Sequence, residues 1–183
     1  MATGLRDHFV AMARNSAWAN HRLLHACEAL TPAEFAATRT SFFPTLRKTL
    51  NHILDVDLYY IDALEGLDAL RRYDEPRSDY PDARSLRLAQ TASDRRLIAF
   101  CERQTEQTLQ RDCMLPRPNR KPPPTRVAGV LEHLFQHDIH HRGQAHAMLA
   151  GTIVKPPQLD EFFLAGDEPS RRDELRELGL PEG

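Results

Sequence analysis

Apolar residues recur at spacings of three and four along most of the chain, which is the pattern of helices that bury one face. Four long segments follow it, at about residues 5–30, 41–66, 82–110 and 126–150. Alternation of apolar and polar residues never extends beyond a few positions, so strands are not expected to build the core. The pattern therefore predicts an all-α protein whose long helices pack as a bundle.

Local signals place the ends of these helices. In "TPAEF", Thr31 is a predicted N-cap, Pro32 suits the first helical position, and Glu34 completes a capping box, so a short helical turn is expected there. Pro44 is tolerated only in the first turn of the second long helix. Thr125 is the predicted N-cap of the fourth long helix, which should end at Gly151.

Two segments fall outside the long helices. The proline-rich connection "RDCMLPRPNRKPPPT" (111–125) excludes a helix, and strand pairing there could only be short or at an edge. Residues 152–183 form a tail with an aromatic anchor at Phe162 and Phe163, and "SRRDELRELG" (170–179) predicts a short charged helix. The length of 183 residues favours a single domain over 1–183, with its bundle core at about 5–151.

Composition narrows the choice of partners. The net charge of −2 gives no basic surface for nucleic acid, and no apolar run is long enough for a membrane span or a signal peptide. Cys27, Cys101 and Cys113 are dispersed and odd in number, which argues against a disulfide framework and fits a reducing compartment. We therefore predict a cytoplasmic protein that binds neither nucleic acid nor membranes.

The fourth long helix carries five histidines within "HLFQHDIHHRGQAHAML" (133–149). His137 and His141 lie one turn apart on its inward stripe, where two imidazoles can share one metal ion. His133 also lies one turn from His137 and competes for this pair, whereas His140 points about 100° away and His146 lies off the stripe. The competing interpretation is that the pair are hydrogen-bonded core histidines.

The second long helix offers a third ligand. His52 lies on an inward stripe of that helix, and three imidazoles would leave open positions for water or substrate, as in catalytic metal sites. Asp55 could be a fourth or supporting ligand, but a solvated helix face or pairing with nearby arginines is the favoured interpretation of Asp55 and Asp57. The chain lacks H-E-x-x-H and paired Glu-x-x-His motifs, so the patterns favour a mononuclear, histidine-rich site.

Three stretches together resemble the DinB/YfiT-like family of bacterial four-helix proteins: "WANHRLL" (18–24), "LNHILDVDLYY" (50–60) and above all "HLFQHDIHHRGQ" (133–144). The resemblance extends over about residues 5–151. It implies an up-down-down-up bundle and a divalent metal held by His52, His137 and His141. Tyr59 or Tyr60 stands where the family often has a tryptophan, which affects the shape of the pocket.

The resemblance also implies a function. Family members with assigned chemistry are metal-dependent S-transferases and isomerases that act with low-molecular-weight thiols, and others are described as hydrolases. We therefore expect a zinc- or nickel-dependent enzyme, a homodimer, that activates water or a thiol for a small-molecule substrate. No side chain is identified as a general base. The alternative is a non-enzymatic metal-binding protein with a stress-response or ligand-binding role.

The residues that follow His141 carry separate expectations. Gly143 is predicted to be a contact point for a neighbouring helix, because a glycine in a helix costs about 1 kcal/mol relative to alanine. Arg142 is expected to form a surface ion pair with Asp138 that contributes little to stability. Gln144 either orients His141 through a hydrogen bond or faces solvent.

Overall fold

The computed structural model describes residues 4–74 and 78–181, and helices dominate them. The helices are α1 (Leu5–Cys27), α2 (Pro32–Phe35), α3 (Leu46–Leu64), α4 (Arg71–Asp74), α5 (Ala83–Glu102), α6 (Val127–Ala150) and α7 (Glu168–Leu178). Two short strands, β1 (Asp112–Cys113) and β2 (Thr125–Arg126), form an antiparallel pair, and single 3-10 turns occupy Thr108–Gln110 and Ala165–Asp167.

Contacts between the four long helices give their directions. α1 runs antiparallel to α5, and α3 runs antiparallel to α6, because early residues of one helix meet late residues of the other. The pairs that show this are Arg6–Glu102 and Glu28–Arg87 for α1 with α5, and His52–His137 and Tyr60–His133 for α3 with α6. The two antiparallel pairs pack side by side as the two layers of the bundle.

The remaining contacts join these layers in parallel. The pairs are Asp57–Gln90 and Asp62–Arg96 for α3 with α5, and Ser16–Asp138 and Asn20–Arg142 for α1 with α6. α1 and α6 therefore point one way, while α3 and α5 point the other. The all-α, up-down-down-up bundle is confirmed.

Some helix ends lie where the sequence predicted them, and others do not. α2 has the predicted capping box at Thr31 and Glu34, and α5 starts after its cap Asp82, as expected. α5 ends at Glu102 rather than near Gln110, since the chain turns there and a separate 3-10 turn buries Leu109 in the core. The expected N-cap of α6 was also wrong, because Thr125 pairs with Cys113 in the small sheet and Arg126 holds the cap position.

The tail packs against the bundle through α1. Glu174 of α7 accepts hydrogen bonds from Trp18 Nε1 at 2.6 Å and from Arg22 Nε at 2.8 Å. Phe162 lies against Trp18, with 5.6 Å between ring centroids, whereas Phe163 is 56% exposed. The aromatic anchor of the tail is therefore Phe162.

The cysteines and the apolar character of the helices can also be compared with expectation. The cysteines are free and buried, and burial raises the pKa values of Cys27 and Cys101 to about 12, so these thiols are not reactive nucleophiles. Within residues 4–74 and 78–181, no helix has both the length and the apolar character needed to cross a bilayer. The polar stretch at about residues 71–81 connects α3 to α5. Residues 75–77 of it lie outside the described residues, and residues 71–74 form α4.

Candidate metal centre

Three histidine rings converge where α3 meets α6. His52 projects from α3, and His137 and His141 project from α6 one turn apart. Their ring centroids are 4.4–5.1 Å from one another. One nitrogen from each ring belongs to a set whose members all lie within 4.8 Å of one another, and the three residues could hold a metal ion.

The nitrogen separation suits a divalent ion. Zinc–imidazole bonds of about 2.0–2.1 Å place two ligand nitrogens of a tetrahedral site about 3.3 Å apart. His52 Nε2 and His137 Nε2 are separated by 3.1 Å, close to that value. Without an ion, one of these nitrogens can donate a hydrogen bond to the other. The donor set, three imidazoles without a carboxylate, fits zinc or nickel better than magnesium or calcium.

Neighbouring side chains fix the third ring. The Gln144 Oε1 atom lies 2.8 Å from His141 Nδ1, so Nδ1 donates to it and Nε2 is left as the metal-facing nitrogen. Burial lowers the pKa of His141 below its ordinary value, which favours the neutral imidazole that a metal requires. The Phe43 ring covers the site at 4.4 Å from the His52 ring and 5.7 Å from the His141 ring.

The other histidines of α6 face elsewhere. His133 is exposed and lies against the Tyr60 ring, at 5.5 Å between centroids. His140 is exposed beside Gln144, and His146 Nε2 lies 2.9 Å from the Pro157 carbonyl oxygen. His133, the main competitor for the pair, is therefore absent from the cluster. The structure brings together the three histidines that the sequence singled out.

A pocket of about 360 Å³ opens beside two of these histidines. His52 and His137 form one end of it, and three tyrosines and two arginines are among the residues that line the remainder. The other lining residues are Asp55, Val56, Tyr59, Tyr60, Arg72, Tyr73, Ser78 and Arg117. The three-histidine cluster thus borders a cavity large enough for a small molecule.

The profile of the DinB family matches residues 1–172. The chain belongs to the DinB family. Two solved structures share its fold: a DinB-like protein from Bacillus cereus ATCC 10987 and the DinB-like protein YjoA from Bacillus subtilis. The first is 16% identical with a TM-score of 0.61, over 78% of this chain and 89% of the other. The second is 14% identical with a TM-score of 0.59, over 83% and 97%. No curated protein matches the chain.

In this DinB-family protein, a buried polar network lies directly behind the histidines. Asp138 follows His137 in sequence, is 1% exposed, and accepts a hydrogen bond from Ser16 Oγ at 3.0 Å. Arg142 donates to Ser16 Oγ at 2.7 Å and to Asn20 Oδ1 at 3.0 Å, and its Nη1 atom lies 3.7 Å from Asp138 Oδ2. The expectation of a surface pair was wrong, because α1 covers this face of α6 and buries both charges.

The network continues through two more carboxylates. Gln90 donates from Nε2 to Asp57 at 2.6 Å and to Asp94 at 3.0 Å, and Asn20 also donates to Asp94. Burial raises the pKa of Asp57 well above its ordinary value, and the carboxylates of Asp138 and Asp94 raise it further. The solvated face proposed for Asp57 was therefore wrong. The sequence contained a signal for this burial, because polar residues occur at core-facing positions on all four long helices.

The structure also places Asp55 and Gly143. Asp55 is no member of the three-histidine set, and its Oδ1 atom accepts a hydrogen bond from the Ser78 N–H at 2.9 Å. Gly143 has open space where a Cβ would be, so it is not a contact point for a neighbouring helix. Gln144, in contrast, is bonded to His141, as one of its two interpretations proposed.

Asp94 gives a prediction for stability against pH. Burial, the largest cause, raises its pKa from the ordinary 3.8 to about 7. The folded state therefore holds this proton more tightly than the unfolded state. Its stabilising contribution is complete below about pH 4 and is lost as the pH rises towards about 7. Asp94→Asn keeps an oxygen that accepts from Asn20 and Gln90, and it should raise the free energy of unfolding at pH 8 but not at pH 4.

Urea denaturation at both pH values measures this effect. Asp173→Asn is the control, because Asp173 is an exposed carboxylate with 90% of its side chain accessible. The control should follow the wild type at both pH values. Parallel stability curves for Asp94→Asn and the wild type from pH 4 to 8 would contradict a proton held on Asp94.

Proposed function

We propose that this DinB-family protein is a metal-dependent enzyme that acts on a small molecule with water or a low-molecular-weight thiol as the nucleophile. The observation that carries the proposal is the position of His52 and His137. Their rings line one end of a pocket of about 360 Å³ and are not enclosed in the core. A metal held by only three protein ligands would keep coordination positions for water or substrate, which is typical of catalytic rather than structural sites.

The metal would supply the activation. A divalent ion held by three neutral imidazoles lowers the pKa of a bound water or thiol and polarises an electrophile. The protein supports this role through Gln144, which fixes the tautomer of His141, and through Phe43, which shields two of the rings from solvent. Zinc and nickel are the proposed metals, and the homodimer remains a prediction.

A single experiment tests both halves of the proposal. Purified protein, loaded with Zn²⁺ or Ni²⁺, is mixed with 1-chloro-2,4-dinitrobenzene and cysteine to measure thiol transfer, and with 4-nitrophenyl acetate to measure hydrolysis. We expect metal-dependent turnover of at least one substrate in the wild type and none above background in the double variant His52→Ala, His137→Ala. Equal rates for the two loaded proteins would contradict the proposal.

A non-enzymatic, metal-binding role is the second candidate. It is favoured by Asp55, the only carboxylate among the described residues of the pocket wall, because a backbone hydrogen bond already engages it. A general base is thus not evident there. Strong thermal stabilisation by metal, together with no turnover of either substrate, would support this candidate.

A further inference from the structure

The wall of the pocket extends along α3. His52 lies at one end, and Tyr59 lies seven residues later on the same helix, which places it about 10 Å further along the axis. Tyr59 and Tyr60 are buried members of the wall, and Tyr73 packs edge-on against Tyr59, with 5.5 Å between ring centroids. The far end is therefore aromatic, a surface suited to the apolar or planar body of a small molecule.

Arg117 covers this aromatic end. It lies on the proline-rich connection, and its guanidinium carbon is 5.1 Å from the centroid of the Tyr59 ring. Tyr59 donates a hydrogen bond from its hydroxyl to the Pro116 carbonyl at 2.7 Å, which holds the connection against α3. Arg117 also donates to the Tyr73 hydroxyl. Aromatic contacts and a tethered backbone therefore position this cation at the pocket.

The charge of Arg117 is not balanced by a carboxylate of the described chain. Its side-chain contacts there are with Tyr59, Tyr60 and Tyr73. The other arginine of the pocket, Arg72, lies 2.7 Å from the buried Asp62. A guanidinium presents several N–H donors in a planar fork that matches a carboxylate. Asp55, the acidic residue of the wall, is only one turn from His52 and is bonded to Ser78, towards the opposite end.

We propose that Arg117 binds a carboxylate of the substrate at the end of the pocket opposite His52 and His137, and that it selects small organic carboxylates with an apolar or aromatic body. This inference rests on the proposed function, since it assigns the substrate class of the same site. One cation among tyrosines suits a single negative charge. The reacting end of the substrate would then lie on the order of 10 Å from its carboxylate, because two turns of α3 separate His52 from Tyr59.

The first test uses metal-free protein, so that it is independent of catalysis. Isothermal titration calorimetry compares 4-phenylbutyrate with 4-phenylbutanol, which share a body and differ in charge. We expect the wild type to bind the carboxylate at least about tenfold more tightly, because a charge-assisted hydrogen bond is stronger than a neutral one. Arg117→Gln should reduce this ratio to near one.

Arg120→Gln is the matched control, because Arg120 lies on the same connection and is exposed but does not line this pocket. It should keep the wild-type ratio. Equal binding of the two molecules by the wild type, binding of neither, or an unchanged ratio in Arg117→Gln would each overturn the proposal.

The second test separates this inference from the proposed function. Cobalt-loaded protein is titrated with 8-mercaptooctanoate and 8-mercaptooctanol, and thiolate binding is followed by the cobalt–sulfur absorption band. We expect the cobalt–sulfur band with both thiols in the wild type and in Arg117→Gln. Only the wild type should bind 8-mercaptooctanoate more tightly than 8-mercaptooctanol. A missing band with both thiols would count against thiol activation, while the calorimetric ratio would still decide the role of Arg117. A band of equal affinity for both would overturn the role of Arg117 and leave the metal chemistry standing.

Discussion

Replacing any one of His52, His137 and His141 by alanine is expected to lower the affinity of the protein for Zn²⁺ by more than about 100-fold. Each ring supplies one of only three nitrogens in the cluster, so its loss leaves a two-ligand site. Loss of an outer residue that merely supports a ligand typically costs about 10–100-fold, and loss of a ligand should cost more. Competition with a chromophoric chelator measures the affinity, and elemental analysis measures the occupancy.

The same helix provides the controls. His133→Ala, His140→Ala and His146→Ala remove imidazoles that lie outside the cluster, and their metal content should equal that of the wild type. Circular dichroism of each metal-free variant checks that the bundle is intact. Full occupancy in His141→Ala together with loss in His133→Ala would show that the other i, i+4 pair binds the metal.

The second large effect is expected on stability. Arg142→Met should lower the free energy of unfolding by about 3–5 kcal/mol, because it removes the cation beside a buried carboxylate and leaves Asp138 without its charge partner. The Asp138 side chain is 1% exposed and that of Arg142 5% exposed, so water cannot replace the lost contacts. Urea denaturation at pH 8, monitored by circular dichroism, measures the change.

Arg172→Met is the matched control for this effect. Arg172 also pairs with an acid four residues earlier, Glu168, at 2.8 Å, but both side chains are more than 40% exposed. Such exposed pairs contribute about 0.3–0.5 kcal/mol. Adding Asp138→Asn to Arg142→Met should recover part of the loss, since it removes the unpaired charge. Equal destabilisation by Arg142→Met and Arg172→Met would contradict a stabilising role for the buried network.

The sequence predicted the parts of this protein that depend on periodicity. The four long helices follow from apolar residues at helical spacing, and the convergence of His137 and His141 follows from their place on one inward stripe. His52 was predicted from the stripe of its own helix and from the family resemblance. Metal binding by the three residues remains a prediction, because proximity of ligand atoms does not measure affinity.

The errors share a physical cause, namely contacts between residues that are distant in the chain. An Asp–Arg pair at i, i+4 has the same sequence pattern whether it lies on a surface or in a core. Here the pair Asp138–Arg142 is buried because α1 covers it. Asp57 is buried because α5 packs against this face of α3, and Gln90 of α5 donates a hydrogen bond to it there. Thr125 is a residue type that often caps helices, but its backbone pairs with Cys113 in the small sheet instead.

The metal-site residues and part of the pocket wall lie on different kinds of structural element, which affects how such a protein can diversify. The three histidines and the buried carboxylates lie on the helices of the bundle, whereas Arg117, Tyr73 and Ser78 lie on or beside the connections that close the pocket. Connections tolerate insertion and substitution far better than packed helices do. Proteins with this architecture can therefore exchange the pocket residues on their connections during evolution, while the three histidines and the packing of the bundle are inherited unchanged.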